Sequence, residues 1–312
     1  MTAPSPAGAP PGRFADAGLY ALVVAIWGSS WIGLKLQVGA DVAVLASVTY
    51  RFVLAGVLLV ALALARGHSL RLSRSQHLRV AAQGMVLFGA NYLCFYAAAQ
   101  HLTSGLLAVA FSTVIVLNII LGALFLGLRL EARMAGGAVL GLGGIALVFW
   151  PEVSSLSLAD AGLKGVLLAL GGTACAAIGM TLSAANQKTG LKVIPTNAFG
   201  MLYGAAAVGA VALATGTPFS FAWTWGYAGG LAYLVVFSSV IAFNAYLTLL
   251  GRIGPARASY ASVLFPVVAL GISTLAEGYA WTPAAFAGVA LVLLGNVLVL
   301  TKPKAKMAAG AA

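Results

Sequence analysis

The sequence predicts an all-α polytopic membrane protein, with ten transmembrane helices arranged as two inverted five-helix repeats. Three observations carry that reading. Of 312 residues, 62% are hydrophobic and 7% charged, with a mean hydropathy of +1.02; a soluble domain carries about 25% charged residues. Apolar runs follow one another along the whole chain, each bounded by charge, proline or glycine. The later runs also repeat the earlier ones at a constant offset, Gly179 falling on Gly28 and Ala176 on Ala25.

The runs cover residues 17–37, 43–65, 79–99, 104–127, 134–150, 163–186, 195–214, 227–249, 257–276 and 282–301. A bilayer core is crossed by about 20 apolar residues, and the fifth run is near the minimum. Backbone groups in lipid must be satisfied within the spanning segment, so runs this long and continuous suit helices, not barrel strands. Residues 1–16 are rich in proline and alanine and read as a disordered cytoplasmic segment. Residues 17–150 form the first repeat, 151–301 the second, and 302–312 a basic cytoplasmic tail. The first run is long, holds Trp27 and Trp31 and lacks a small-residue cleavage site. It is therefore read as an uncleaved span and not a secretory signal.

Charge supports the count. Arg13 precedes span one, and Lys35 and Asp41 mark the next break. Arg66, Arg71, Arg74 and Arg79 follow span two, whereas the break after span three has neither Lys nor Arg. Arg129 and Arg133 follow span four; Glu152, Asp160 and Lys164 follow span five; Lys188 and Lys192 follow span six. Nothing charged follows span seven, Arg252 and Arg257 follow span eight, Glu277 ends span nine, and Lys302, Lys304 and Lys306 close the chain. The alternation never breaks. Cytoplasmic breaks carry the excess of Lys and Arg, which puts both termini in the cytoplasm of a multi-pass inner-membrane protein.

The repeat is clearest in spans five and ten. Gly137, Leu140, Leu142, Gly144, Leu147 and Val148 fall on Gly288, Leu291, Leu293, Gly295, Leu298 and Val299, where chance would give roughly one match. Five spans per half is an odd number, so the second half enters the membrane from the opposite side. Inverted repeats of this kind build alternating-access transporters, with the solute near the midplane; duplication in a channel or scaffold is the duller alternative. Gly137, Gly141 and Gly144 stripe one face of span five, as small residues do where helix backbones approach.

Other classes find little support. The net charge of +11 sits in short breaks and not in a basic patch interleaved with stacking aromatics, so no nucleic-acid partner is implied. Cys94 and Cys175 lie inside apolar runs and read as small core residues. No H-E-x-x-H, G-x-S-x-G or phosphate-binding loop occurs, and His68, His77 and His101 are scattered. The chain is not expected to be an enzyme, and no cofactor or metal is implied. The partners are a small-molecule substrate and the lipid bilayer; the oligomeric state is open, and a monomer is plausible.

Ionisable groups inside spans are costly and therefore suspect. Arg51 lies a third of the way into span two, as a counter-charge for an anionic solute or as a structural or snorkelling cation. Lys35, near an outer end, is within snorkelling reach of the interface. Polar and aromatic side chains gather in a few spans: Trp27 and Ser30 beside Gly28 and Trp31 in span one; Asn91, Tyr92, Phe95 and Tyr96 in span three; Asn118 in span four. Asn244 and Tyr246 lie in span eight, Ser259 and Ser262 in span nine. Each alone reads as packing or a helix–helix hydrogen bond; together they outline a solute cavity. Asp16, Asp41, Glu131, Glu152, Asp160 and Glu277 all fall in breaks or span ends. Proton-coupled carriers keep ionisable chains within the membrane, so exchange or facilitated diffusion is expected here.

Trp27-Gly28-Ser29-Ser30-Trp31-Ile32, Tyr50-Arg51-Phe52-Val53-Leu54-Ala55 and Ser259-Tyr260-Ala261-Ser262-Val263-Leu264-Phe265-Pro266 resemble the EamA-type family of the drug/metabolite transporter superfamily. So does Glu277-Gly278-Tyr279-Ala280-Trp281-Thr282 leading into the Gly288–Gly295 stretch. The resemblance spans about residues 17–301. It implies ten helices, cytoplasmic termini, a central cavity, and export or exchange of small metabolites, often amino acids; no catalytic residue carries over. Two departures stand out. Thr113-Val114-Ile115-Val116-Leu117-Asn118 lacks a proline corresponding to Pro266, and Gly127-Leu128-Arg129-Leu130 lacks a glutamate common in the family, which removes an acidic contact at that end of span four.

The charge alternation makes a direct prediction. In a variant with Cys94 and Cys175 replaced by alanine, single cysteines at Leu72 and Pro218 are expected to label from opposite sides, Leu72 from the cytoplasm. Labelling of both from one side overturns the ten-span topology.

Overall fold

The structure is a computed structural model describing residues 13–38, 40–102, 104–128, 131–148, 150, 160–276 and 281–300. The segment before Arg13, Arg129, Glu152, Glu277 and the basic tail from residue 302 lie outside the described residues. The helices are α1 (Arg13–Val38), α2 (Val44–Ala65), α3 (Arg74–Ala98), α4 (Ser104–Ser112 and Val114–Leu126) and α5 (Ala132–Val148). They continue as α6 (Asp160–Lys188), α7 (Val193–Ala214), α8 (Trp225–Ile253), α9 (Pro255–Ala258 and Ala261–Ala276) and α10 (Pro283–Leu300). Among the described residues no strand occurs. Among the described residues, eight helices are long and apolar enough to cross a membrane; α5 and α10 are the shorter apolar pair. Large side chains such as Leu64, Leu124, Phe125 and Leu213 stand exposed on the bundle exterior. Helices apolar on all sides with such exteriors are solvated by lipid, not water.

Local chemistry moves some ends. Helix α3 begins at Arg74, five residues before the apolar run. The Ser73 hydroxyl accepts from the Gln76 N–H, and the Gln76 side chain accepts from the Ser73 N–H. That capping box satisfies two N–H groups that would otherwise be orphaned. Thr224 caps α8 in the same way, accepting from the Tyr227 N–H at 3.2 Å, beside the exposed indoles of Trp223 and Trp225, where amphipathic rings favour a membrane–water interface. Helix α4 is interrupted at Thr113, whose hydroxyl returns to the Ala110 carbonyl.

The feature absent from the sequence reading is a pair of π-helical segments, Met85–Ala90 in α3 and Leu234–Ala242 in α8. Shifted by the repeat offset, residues 85–90 fall on 236–241, inside the second segment. Widened turns of this kind occur mostly at functional sites. Beside the first, a Cβ on Gly84 would strike the Gly200 backbone, and one on Gly204 would lie 2.7 Å from the Gly84 carbonyl oxygen. Only glycine lets α3 and α7 touch there.

Helices α1, α3, α6 and α8 pack around the centre, with α4 and α9 beside them; α2 pairs with α7 and α5 with α10. The expected glycine stripe joins α5 to α10. A Cβ on Gly144 would sit 2.5 Å from the Gly288 carbonyl oxygen and one on Gly288 2.5 Å from that of Gly144; Gly137 and Gly295 meet reciprocally. Gly144→Leu is expected to cost about 1–3 kcal/mol through overpacking, lowering the unfolding midpoint in detergent. Gly143→Leu, at a position open to space, serves as the control and should leave it unchanged; equal midpoints for both variants would contradict this packing.

Candidate functional site

A cavity of about 70 Å³ lies between the two halves, lined from α1, α2, α3 and α4 on one side and α6, α8 and α9 on the other. Space of this size holds more than one water-sized probe, while open ligand pockets commonly exceed about 300 Å³. Its walls are aromatic. Trp27 meets Phe243, Tyr246 and Phe265 at ring centroid distances of 4.7, 4.9 and 5.7 Å, and Phe95 lies 5.8 Å from Trp31 and 5.6 Å from Phe111.

Arg51 is the charge at this cavity. Its side chain is 1% exposed, and it donates from Nε to the Ser239 hydroxyl at 2.9 Å and from Nη2 to the Ser238 hydroxyl at 3.0 Å. The guanidinium lies 4.5 Å from the Tyr92 ring centroid, a cation–π geometry. No carboxylate among the described residues pairs with it. The two ion pairs found there, Arg252–Asp16 at 3.0 Å and Arg257–Glu131 at 3.6 Å, sit at the helix ends that carry the basic breaks. Glu131 thus supplies an acidic contact near the end of α4, where the family's usual glutamate is missing.

Six of the twelve residues singled out from the sequence line the cavity: Trp27, Ser30, Arg51, Asn91, Tyr92 and Phe95. Asn91 donates from Nδ2 to the Leu87 carbonyl at 3.1 Å, while its buried Oδ1 has no partner. Ser30 returns its hydroxyl proton to the Ile26 carbonyl. Two more stand one layer behind: Asn118 Nδ2 and Tyr246 OH both donate to the sulfur of Met180, at 3.5 and 3.4 Å, and Met180 lines the wall. The other four lie off the lining. Tyr96 is fully buried elsewhere, and Asn244 accepts from Asn197 and donates to the Val240 carbonyl. Ser259 and Ser262 return their hydroxyls to the carbonyls of Ala256 and Ser259. Short hydroxyl side chains on helices readily bond their own preceding turn, and neither serine lines the cavity.

Lys35 does not reach freely for the interface. Its ammonium donates to the Ala99 and Leu102 carbonyls at 3.3 and 3.0 Å, neutralising the C-terminal end of α3 as a cation does for a helix dipole.

Two signals in the sequence would have found lining residues that were missed. Trp27, Ser30, Trp31 and Leu34 follow the i, i+3, i+4, i+7 spacing of one helix face, and all four line the cavity. Ser238 and Ser239 stand adjacent in an apolar run, where an intramembrane cation needs acceptors. Phe111, Met180 and Phe265 carry no such mark.

Interhelical hydrogen bonds lie beyond the cavity lining toward both ends of the helices that form it. Away from the basic ends, Gln37 donates to the Tyr227 carbonyl at 2.9 Å and the Ser47 and Tyr227 hydroxyls meet at 2.9 Å. Toward the basic ends, Asn186 donates to Gln83 at 2.9 Å, Asn197 to Asn244 at 3.2 Å, and Gln187 to the Leu247 carbonyl at 2.9 Å.

The EamA-like transporter family matches residues 17–150 and again residues 163–301. The chain belongs to that family. It is a membrane transporter, as the resemblance carried by the Trp27–Ile32 and Ser259–Pro266 stretches implied. It is similar to the uncharacterized inner membrane transporter YedA of Escherichia coli (strain K12), 31% identical, covering 91% of this chain and 92% of that one. It is also similar to the uncharacterized transporter YvbV of Bacillus subtilis (strain 168), 26% identical over 93% of each. A crystal structure of a protein 18% identical in sequence superposes with a TM-score of 0.76 over 93% of this chain and 97% of that one, which establishes a shared fold.

Within this EamA-family chain, the serine–arginine contact can be isolated. Ser239→Ala is expected to cost about 1–3 kcal/mol, the penalty for leaving a buried donor unsatisfied. In an Arg51→Leu background the same change should cost less than about 0.5 kcal/mol, since the coupling partner is gone. Denaturant unfolding of the four proteins in detergent measures the cycle; equal costs in both backgrounds would show that the serine does not act through Arg51.

Proposed function

We propose that the chain is an inner-membrane carrier that exports or exchanges small organic metabolites bearing a carboxylate, the class that includes amino acids. Transport proceeds by alternating access of two inverted five-helix halves around the Arg51 cavity, with both termini cytoplasmic. The observation that carries this reading is the buried guanidinium held by two serine hydroxyls and aromatic faces, with no carboxylate partner among the described residues. A charge taken out of water is stabilised by an opposite charge far better than by dipoles, and in a transporter the solute can bring that charge.

Packing supports the inverted repeat. Exchanging each helix of one half for its counterpart turns the α1–α9 contact into α6–α4, α1–α8 into α6–α3, and α2–α8 into α7–α3, all of them present. The Gly137–Gly295 approach likewise becomes Gly288–Gly144. Reciprocity of this kind is what a two-fold relation imposes. The interhelical hydrogen bonds beyond both ends of the cavity lining support a carrier over a channel with a continuous pore or a scaffold. Carriers of sugars, nucleotide precursors or lipophilic amines remain the alternative solute classes, and the unpaired guanidinium weighs most against the amines.

Purified protein in proteoliposomes is expected to show saturable counterflow of a carboxylate solute without an imposed pH gradient. Arg51→Leu should reduce it at least about tenfold, the scale of a lost charge-assisted hydrogen bond, and Arg51→Lys should retain part. Normal counterflow by Arg51→Leu would make the residue structural, and uptake requiring a pH gradient would overturn exchange.

A further inference from the structure

Resting on the carrier reading, the polar groups of the cavity narrow its solute. Arg51 presents a positive charge that no described carboxylate cancels. Among the described residues, two fully buried side-chain atoms of the lining have no partner: the Asn91 Oδ1 acceptor and the Trp31 Nε1 donor. Most of the remaining surface is apolar, with Phe95, Phe111, Phe243 and Phe265 prominent. The complement of this inventory is an anion, one neutral N–H or O–H donor, and an apolar body.

An amino acid fits it poorly. Its carboxylate would neutralise Arg51, but its ammonium brings the positive charge back and carries three N–H groups, for which Asn91 Oδ1 is the one fully buried unpartnered acceptor among the described lining residues. A buried charge left uncompensated costs several kcal/mol even after relaxation. A 2-hydroxy acid differs from its amino acid only in replacing the ammonium by a hydroxyl. It leaves the cavity neutral, and its one O–H matches the one acceptor. We infer that the cavity selects small apolar monocarboxylates carrying a 2-hydroxyl, at the position where amino acids carry an ammonium. The narrowing runs away from the amino acids that the family resemblance favours, and it rests on Arg51, Asn91 and the lack of a described carboxylate beside the cavity.

The matched probes are 2-hydroxy-4-methylpentanoate, 4-methylpentanoate and leucine, titrated calorimetrically into the purified full chain in detergent. The hydroxy acid is expected to bind at least about tenfold more tightly than leucine, the scale of one mismatched buried group. It should lose that affinity in Arg51→Leu. Asn91→Leu should erase its advantage over 4-methylpentanoate, and Asn91→Asp, which supplies the missing negative charge, should raise leucine affinity above that of the hydroxy acid. Leucine binding as tightly as the hydroxy acid to the unmodified chain overturns the inference, as does an unaltered preference in Asn91→Asp of normal stability. Counterflow in proteoliposomes separates the two readings. Tight hydroxy-acid binding without counterflow leaves the selectivity standing and removes the carrier. Counterflow of other solutes, with no hydroxy-acid binding, does the reverse.

Discussion

The constraint on which the centre of this molecule turns is a guanidinium held out of water with no described carboxylate beside it. In a bundle where most side chains are apolar, Arg51 needs acceptors, and the two within reach are hydroxyls on a single turn of α8. That requirement places α2 against α8, a contact between the halves, and sets Tyr92 of α3 beside the charge. The π-helical segment of α8 contains both serines, and the corresponding segment of α3 ends just before Asn91. Widened turns shift side-chain phase along a helix, so residues beyond each segment present a different face from those before it. The cavity is lined at both: Leu87 and Asn91 on one side, Leu234, Ser238 and Phe243 on the other.

Rigidity comes from elsewhere. Helices α5 and α10 hold each other through reciprocal glycine contacts, and none of their residues lines the cavity. Association of helices in lipid has no hydrophobic driving force to draw on, so close backbone approach and dispersion supply it. This scaffold pair therefore stands apart from the aromatic centre.

How much was legible follows from the same physics. Spans were readable because the bilayer imposes a length and an apolarity that few sequences meet by accident. The glycine stripe was readable because its spacing is strict. Arg51 was readable because an intramembrane charge is expensive. Illegible were the π-helical segments, since nothing in Met85–Ala90 or Leu234–Ala242 differs in composition from ordinary apolar helix. Ser259 and Ser262 looked like cavity residues for a reason the sequence cannot resolve: a helical hydroxyl can face a solute or bond its own turn. Met180 and Phe111 were invisible because an apolar wall residue reads the same as a lipid-facing one.

The interhelical hydrogen bonds beyond both ends of the cavity lining are made by carboxamides, hydroxyls and carbonyls, whereas the ion pairs found among the described residues stand at the helix ends. This division fits a carrier. A neutral hydrogen bond contributes about 0.5–1.5 kcal/mol net, and interhelical ones in membranes average about 0.6 kcal/mol. A layer of two or three such bonds can therefore open at a cost of a few kcal/mol, which keeps the open state populated to a small but usable extent. A buried ion pair in the same place would cost about 3–5 kcal/mol to break by removing a partner, enough to lock one side shut. Arg252–Asp16 and Arg257–Glu131 are each about one-third exposed, so water screens them and each contributes about 0–1 kcal/mol. Among the described residues Arg51 stands buried at the cavity without a carboxylate partner, and hydroxyls and aromatic rings answer its charge only in part. A solute anion that completes it adds stability to whichever state encloses the cavity, which is how a carrier of this construction would tie closure to occupancy.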